Sequence, residues 1–352
     1  MGIAFVRRAH IPMIIEFMGN GKTPSAATPG RLLTTIERPN DNEIAHLKKM
    51  KKSLTVSFIR AVEARYPGLI DKIQELIQES ERQFNGGSAT AESFLWEHTT
   101  HVASLSFELA HSEKMDPVIP AVAALFHDAG KFAGGAYHKG EQAEEEAAAA
   151  IADGMLRQLG MSRLHIHRVL AGLSALYRAQ AKPNPIADIV HDADFLSKFG
   201  ALGVAQFFIK STLRGQTLQN AITNQLSKEL TYAACLHLNM RTRAGKRLAE
   251  RKSRKTLKYF GSLLRELKET HTADFTIKRL RINPSSRPRA SVEVRLAVPR
   301  SCSNCSGPWT IALKTTQGVK CEMLEAEITC ARCGNKVNFS FCLPEIRSSP
   351  RA

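Results

Sequence analysis

Four side chains in the middle of this 352-residue chain have the types and spacing to bind a divalent metal ion. They are His98, the adjacent pair His127–Asp128, and Asp194, separated by 29 and then 66 residues. Imidazole and carboxylate ligands together suit Mn²⁺, Fe²⁺, Co²⁺, Ni²⁺, Zn²⁺ or Mg²⁺. Each residue alone has an ordinary alternative, because His–Asp dipeptides are common and core histidines are often only hydrogen-bonded. The whole arrangement predicts one divalent metal in this part of the chain.

The local positions of these residues agree with a buried site. His98 lies four residues before Val102, so both project from the same face of a helix. The His127–Asp128 pair ends the apolar segment 118–126. A polar pair buried there without a partner would cost roughly 2–7 kcal/mol, so a bound ion or other partner is expected.

A second candidate metal site lies near the C-terminus, where six of the seven cysteines fall within the last 51 residues. Two C-x-x-C pairs, separated by 24 residues, are Cys302–Cys305 and Cys330–Cys333. This spacing is typical of a structural tetrahedral Zn²⁺ site, and Gly307 and Gly334 permit tight turns after each pair. Redox-active thiols and ordinary buried cysteines are the alternatives. We expect the remaining cysteines to be unpaired packing residues: Cys235, Cys321 and Cys342.

The elements that must position the histidines and aspartates are helices. Apolar residues recur at three- and four-residue spacing, which predicts a helical domain over residues 43–270 with its core at 91–270. Within it we expect one helix over 118–126 and another over 186–208. Residues 1–42 contain several glycines and prolines and are predicted to form an irregular N-terminal arm.

The period of the pattern changes after residue 271 from helical to alternating. Val292–Val298 and Val337–Phe341 alternate apolar and polar residues over strand-length windows. Together with the cysteine pairs, this predicts a small β-rich, zinc-ribbon-like module over 271–352. The predicted fold class is therefore mainly α, an all-helical domain followed by a small β-rich domain.

Composition and charge limit the possible partners. No apolar run approaches the roughly 20 residues of a membrane-spanning helix, and no secretion signal is apparent, so we expect a cytoplasmic protein. The formal net charge is +16, and residues 236–300 contain eighteen Lys and Arg against five Asp and Glu. Such a stretch attracts nucleotides or nucleic acid, although a solvated helix face is the alternative.

Three segments carry a resemblance to a known family. They are His98-Thr-Thr-His-Val-Ala, Ala-Ala-Leu-Phe-His127-Asp128-Ala-Gly-Lys131 and Asp192-Ala-Asp194-Phe-Leu. This pattern resembles the HD-domain phosphohydrolase superfamily, and in particular a bacterial subgroup with a DAD-x-L motif. The resemblance covers about residues 85–270.

The resemblance implies a role for each residue. His98, His127, Asp128 and Asp194 would be the metal ligands, with His101 and Asp192 as the second choices for the first and last positions. Asp128 would also orient the attacking water. Lys131, just after the pair, would meet a substrate phosphate.

The chain also departs from the two-metal members of the family. Glu144 stands where those members have a further histidine, and residues 173–178 contain no histidine. The sequence therefore predicts a single-metal phosphohydrolase that acts on a nucleotide or related metabolite. The alternative is a catalytically weak HD sensor or binding protein that engages nucleic acid through its basic stretch and zinc ribbon.

Overall fold

The computed structural model of the protein describes residues 58–84, 94–132, 144–176, 183–284, 291–317 and 322–343. The predicted N-terminal arm over 1–42 lies outside these residues. Residues 58–65 are helical. The helices that follow are α1 (Leu69–Phe84), α2 (Phe94–Ser112), α3 (Val118–Phe126), α4 (Glu144–Gln158), α5 (Arg163–Leu176), α6 (Pro185–Ser197), α7 (Gly200–Leu213), α8 (Leu218–Asn239) and α9 (Arg243–Glu269). No helix among the described residues is both long enough and apolar enough to cross a membrane.

Helix α3 forms the centre of the helical core. All nine of its residues, Val118–Phe126, are buried, which confirms the helix predicted over 118–126. Helices α2 and α6 both pack against α3 and against each other. The end of α3 at His127 therefore faces two helices that bring residues from distant parts of the sequence.

The single helix predicted over 186–208 is wrong. The chain instead breaks between α6 and α7, where Phe199 is extended and Gly200 adopts a φ of +82°, a backbone conformation that favours glycine. Residues of α9 stabilise the break: the Gly200 N–H donates to Thr256 Oγ1 (2.7 Å), and Lys252 Nζ donates to the Phe199 carbonyl (3.0 Å).

The C-terminal part is β-rich, as the sequence predicted. The strands are β1 (Phe275–Ile282), β2 (Val292–Pro299), β3 (Trp309–Gln317), β4 (Glu322–Cys330) and β5 (Lys336–Cys342). Strands β1 and β2 form one antiparallel pair, and β3, β4 and β5 form an antiparallel sheet in that order. The alternating segments at 292–298 and 337–341 correspond to β2 and β5, whereas β1, β3 and β4 were not identified from the sequence.

Strand β2 lies along α8, whose side chains bond to the backbone of the strand. Thr231 Oγ1 donates to the Arg295 carbonyl (3.2 Å) and accepts from the Arg295 N–H (3.0 Å). One turn earlier, Ser227 Oγ accepts from the Ala297 N–H (3.0 Å). Four helical residues rise about 6 Å and two strand residues about 6.6 Å, so successive helix turns match alternate strand residues. The backbone N–H and carbonyl groups of β2 that do not bond to β1 gain hydrogen-bond partners in this way.

A hydrophobic cluster extends from α8 into both sheets. It contains Cys235 of α8, the inward residues of β2, and buried residues of β4 and β5 including Phe339 and Phe341. These two rings fill the core, and Trp309 is partly buried against it. Tyr232 of α8 also donates a hydrogen bond to the Cys342 carbonyl (2.7 Å).

Candidate metal sites

The predicted ligands of the helical domain come together where α2, α3 and α6 meet. His98 lies on α2, His127 and Asp128 follow α3, and Asp194 lies on α6. Ligand atoms of His98, His127 and Asp128 all lie within 4.8 Å of one another. Asp194 Oδ1 lies 3.2 Å from His98 Nε2 and 3.9 Å from His127 Nε2. The four residues therefore form one cluster.

The distances and the partners in the cluster fit a shared divalent ion. Asp128 Oδ2 lies 3.6 Å from both His98 Nε2 and His127 Nε2. Two ligand atoms bound to one ion at about 2.0–2.2 Å lie roughly 3–3.6 Å apart. His127 Nε2 is fully buried and has no hydrogen-bond partner among the described residues. A buried nitrogen without a partner is costly, and a bound cation would satisfy it.

Hydrogen bonds on the far side of each imidazole orient it toward the cluster. His127 Nδ1–H donates to the Ala124 carbonyl (2.6 Å), which leaves the Nε2 lone pair directed at the carboxylates. His98 Nδ1 lies 3.4 Å from Ser197 Oγ, and that hydroxyl donates to the Asp194 carbonyl (2.7 Å). Burial lowers the pKa of His98 despite the nearby Asp194, so its imidazole is neutral near pH 7 and can act as a ligand.

A lysine accompanies each carboxylate of the cluster. Lys131 Nζ lies 2.7 Å from Asp128 Oδ2, and Lys198 Nζ lies 2.7 Å from Asp194 Oδ2. Burial alone would raise the pKa of each carboxyl, but the adjacent ammonium groups of Lys131 and Lys198 outweigh it and hold both pKa values well below the usual range. Both side chains are therefore ionised at neutral pH, the form that binds a cation.

Lys198 and Ser197 were not identified from the sequence. The signal for Lys198 was present, because it follows Asp194 at the i,i+4 spacing that allows ion pairs on a helix. Nothing in the local sequence points to Ser197, whose contact with His98 spans 99 positions. Lys131, which was predicted to meet a phosphate, lies beside the cluster through its ion pair with Asp128.

The two second-choice ligands are placed differently. Asp192 is fully buried, and its carboxylate accepts from the backbone N–H groups of Arg241 (2.9 Å) and Thr242 (2.8 Å) and from Thr242 Oγ1 (2.8 Å). Its oxygens therefore hold the start of α9. His101 lies one turn beyond His98, and burial together with Lys252 and His98 lowers its pKa to about 3. The group formed by His98, His127 and Asp128 contains neither residue, and Asp194 joins that group through its distances to the two histidines.

The four cysteines of the C-x-x-C pairs also come together. All four Sγ atoms lie within 4.8 Å of one another. Cys302 Sγ lies 3.6 Å from Cys333 Sγ, and Cys305 Sγ lies 3.5 Å from Cys330 Sγ. Two sulfurs bound at about 2.3 Å to one tetrahedral ion lie roughly 3.8 Å apart. The four cysteines can therefore hold one metal ion.

The turns that carry the cysteines show why glycine is needed there. Gly334 has a φ of +72°, but in the first turn the positive φ of +55° belongs to Ser306. Gly307 is needed for space, because a Cβ there would lie 2.9 Å from Cys330 Sγ and 2.8 Å from Arg332 Cβ. The N–H groups of Cys333 and Arg332 lower the pKa of the Cys330 thiol to about 6, whereas the other three sulfurs raise the pKa of the Cys333 thiol against a hydrogen bond from the Asn335 N–H.

The other cysteines divide into two kinds. Cys235 is a buried free cysteine in the cluster between α8 and the sheets, which confirms that it is a packing residue. The expectation that Cys342 is unpaired is wrong, because Cys342 is disulfide-bonded. Cys321 lies outside the described residues.

Comparison with known proteins identifies the region that carries the His/Asp cluster. Residues 95–198 match the family model of the HD domain. YpgQ of Bacillus subtilis, solved in complex with ADP, is 23% identical, with 56% of this chain and 94% of that chain covered and a TM-score of 0.41. An HD-superfamily hydrolase from Bacillus thuringiensis is 21% identical, with 56% and 97% covered and a TM-score of 0.40.

Comparison with curated proteins gives no match. The family match spans 95–198 and so contains α2, α3 and α6, the three helices that supply the clustered histidines and aspartates. The chain therefore contains an HD domain, and His98, His127, Asp128 and Asp194 all lie within it.

Proposed function

We propose that this protein is a metal-dependent phosphohydrolase that cleaves a phosphate ester of a nucleotide or related metabolite. The observation that carries the proposal is the convergence of His98, His127, Asp128 and Asp194, with imidazole nitrogens and carboxylate oxygens 3.2–3.9 Å apart. We propose these four residues as the ligands of one divalent ion, drawn from Mn²⁺, Fe²⁺, Co²⁺, Ni²⁺, Zn²⁺ or Mg²⁺. The presence of an HD domain supports the same function.

A divalent ion bound by these residues lowers the pKa of a water molecule and neutralises charge on phosphoryl oxygens. The protein holds three of these ligands in the required protonation states, with both carboxyls ionised and His98 neutral near pH 7. Asp128 is proposed to accept a hydrogen bond from the attacking water and so to orient it toward phosphorus.

A phosphate ester is the proposed substrate because two ammonium groups flank the cluster. Lys131 and Lys198 each bond to one carboxylate oxygen on the rim of the site. A dianionic phosphate offers stronger acceptors for ammonium N–H groups than an uncharged ester does. We propose that Lys131 turns to a phosphoryl oxygen of the substrate. Lys198, whose side chain is 47% exposed, is placed to do the same from the opposite carboxylate.

The four cysteines are proposed to hold a structural Zn²⁺ ion. The backbone N–H groups directed at the sulfur of Cys330, and the close approach of Gly307 to two sulfurs, support this role. A site with four protein ligands has no open position for a substrate. The cytoplasmic location predicted from the sequence stays a prediction.

The proposal is tested by metal analysis and by hydrolysis of an aryl phosphate and a panel of nucleotides with added Mn²⁺, Co²⁺ or Ni²⁺. Wild type should contain zinc and a second divalent ion. Asp128→Ala should lose the second ion and at least about 10²-fold in kcat/KM. His101→Gln is the matched control, because His101 lies one turn from His98 outside the cluster, and it should retain both the ion and the activity.

Two results would contradict the proposal. If Asp128→Ala keeps the second ion and the activity, the ligand assignment fails. If wild type hydrolyses no phosphate ester with any added metal, the HD domain is a binding scaffold rather than an enzyme.

A further inference from the structure

Helix α9 (Arg243–Glu269) presents a row of cations to solvent along its whole length. Its buried side is formed by residues such as Ala249, Phe260 and Leu264. The opposite side is exposed and carries cations at intervals of four, four, three, four and seven residues: Arg243, Arg247, Arg251, Arg254, Lys258 and Arg265. At 3.6 residues per turn these six positions lie within one face. We call this row the α9 basic face.

The α9 basic face differs from an ordinary solvated helix surface. Some exposed cations on other helices pair with an acidic residue, as Arg157 does with Asp153 at i,i+4. The segment from Arg243 to Arg265, both included, contains nine Lys and Arg residues and a single acidic residue, Glu250. Within the ranges that the structure describes, none of the six cations of the face forms an ion pair.

This arrangement works against the stability of the helix itself. Arg243, Arg247 and Arg251 are like charges at i,i+4, which repel each other. The first turn of α9 contains no acidic residue, so its cations also oppose the positive end of the helix dipole. On the buried side, the negative charge of Asp192 offsets the positive end of the dipole by accepting from the N–H groups of Arg241 and Thr242. The solvent side can therefore carry cations. A surface that is electrostatically unfavourable in the free protein is expected to be stabilised by an anionic partner.

We propose that the α9 basic face binds the sugar–phosphate backbone of double-stranded nucleic acid. Arg243 and Arg265 are 22 residues apart, about 33 Å along a helix, which matches a linear polyanion rather than a single small phosphate. Five of the six cations are arginine, whose guanidinium group bonds phosphate oxygens in pairs. The partner is recognised by charge and not by sequence.

Two alternative partners fit less well. Interfacial helices that bind membranes carry large apolar residues on the inserted side, and the α9 basic face has none between its cations. Proteins that bind single strands stack bases on exposed aromatic rings. The one exposed aromatic of this helix, Tyr259, follows Lys258 directly and so points about 100° away from it.

The test is binding of the full-length protein to labelled DNA and RNA duplexes of about 20 base pairs, which are longer than the α9 basic face. If all six cations contact phosphates, the logarithm of the binding constant should fall with the logarithm of salt concentration with a slope of about −5. Arg247→Gln/Arg251→Gln/Arg254→Gln should reduce that slope by about 2.7 and weaken binding roughly 10²-fold at about 0.1 M salt.

A triple variant with the same change in net charge is the control. Arg60→Gln/Lys72→Gln/Arg163→Gln removes three exposed cations from other helices and should bind as wild type does. The proposal is overturned if both triple variants weaken binding equally, if the α9 variant binds as wild type, or if wild type binds no duplex at about 50 mM salt. Stronger binding to phosphatidylserine vesicles or to single strands than to duplexes would also overturn it. None of these results depends on hydrolase activity.

Discussion

The His/Asp cluster and the four-cysteine cluster draw their ligands from chain segments of very different length. His98 and Asp194 lie 96 positions apart in the sequence. They meet because α2 and α6 pack on the same buried helix, α3. The cysteines lie on two local turns that β3 and β4 hold side by side, with Trp309 paired to Cys330. The first cluster therefore depends on a completed hydrophobic core, and the second depends on two turns.

The groups that surround the two clusters differ as well. The cysteine sulfurs receive hydrogen bonds from backbone N–H groups of their own turns. The carboxylates of the His/Asp cluster instead bond to the side-chain ammonium groups of Lys131 and Lys198, and Asp128 and Asp194 keep 12% and 10% of their side-chain surface exposed. A catalytic metal site needs an open position and a structural site does not. The partly exposed carboxylates of the His/Asp cluster agree with the proposed catalytic site, and the locally built cysteine cluster agrees with the proposed structural site.

The largest effect is expected from removing the cysteine site. Cys330→Ala should abolish zinc binding, with an apparent loss on the order of 10 kcal/mol of metal-binding free energy. The turns that carry the cysteines and the adjoining ends of β3 and β4 should then become sensitive to proteases. The metal of the HD domain should remain, because its ligands lie on α2, α3 and α6. Element analysis and limited proteolysis measure these outcomes.

The control for this experiment is Cys235→Ala, which removes a buried cysteine outside the cluster and should leave the zinc content unchanged. If Cys330→Ala releases both metals together, the two sites are not independent and the contrast between them is wrong.

A second experiment compares two aspartates on the same helix. Asp192→Ala should destabilise the protein by about 3–5 kcal/mol, because it removes a fully buried carboxylate and leaves three partly buried donors at the start of α9 without an acceptor. Asp194→Ala should instead remove the divalent ion and most of the activity. Chemical denaturation of the metal-free variants separates the two effects, and equal destabilisation by both would contradict the different roles.

The same pair of aspartates shows what the sequence could and could not predict. The position of His127–Asp128 at the end of a helix could be predicted from the sequence, because a polar pair directly after an apolar helix is a local signal. Asp194 was named as a ligand, with Asp192 as the second choice, through the family resemblance. The role of Asp192 was not predicted, since it depends on Arg241 and Thr242, about 50 positions later. The break at Gly200 was missed for a related reason, as it is stabilised by Thr256, which lies 56 positions away.

The strands show a similar limit. Strand β2 was readable because its inward residues are apolar at every second position. Strand β3 carries Thr310, Ala312 and Lys314 on its exposed side and only half-buried residues between them, so it is less buried than β2. Its pairing with β4 depends on register and on the cysteine turns rather than on its own sequence.

A third, smaller effect concerns the support of the HD site. Glu81 is buried and accepts from the Leu95 N–H at the start of α2 (3.1 Å), the helix that carries His98. Burial raises its pKa from 4.5 to about 7, against the opposing effect of that hydrogen bond. The folded state therefore binds the proton more tightly than the unfolded state does. Its contribution to stability is complete below pH 4.5 and is lost as the pH rises to about 7.

The free energy of unfolding of wild type should fall by up to about 3 kcal/mol between pH 5 and pH 8 because of Glu81. Glu81→Gln should remove that loss, because the amide oxygen can still accept from Leu95. Glu75→Gln, an exposed glutamate on the same helix, should leave the pH dependence unchanged. Parallel pH profiles for wild type and Glu81→Gln would show that Glu81 does not titrate in this range.

The smallest effect tests the contact that joins the two regions. Thr231→Val keeps the shape of a fully buried side chain but leaves the N–H and the carbonyl of Arg295 without their partner. Unsatisfied buried groups of this kind cost about 1–2 kcal/mol. Thr310→Val, which removes an exposed bond to the Thr329 carbonyl, should cost less than about 0.5 kcal/mol. Hydrogen exchange of the β2 amides and the hydrolase activity should be measured on the same variant. If Thr231→Val lowers the protection of these amides without changing the activity, the bonds between α8 and β2 hold the β-rich part to the helical core. They then contribute nothing to the chemistry of the HD site. A matching loss of activity would show instead that the His/Asp site depends on the β-rich part, and the two regions could no longer be treated as separate in function.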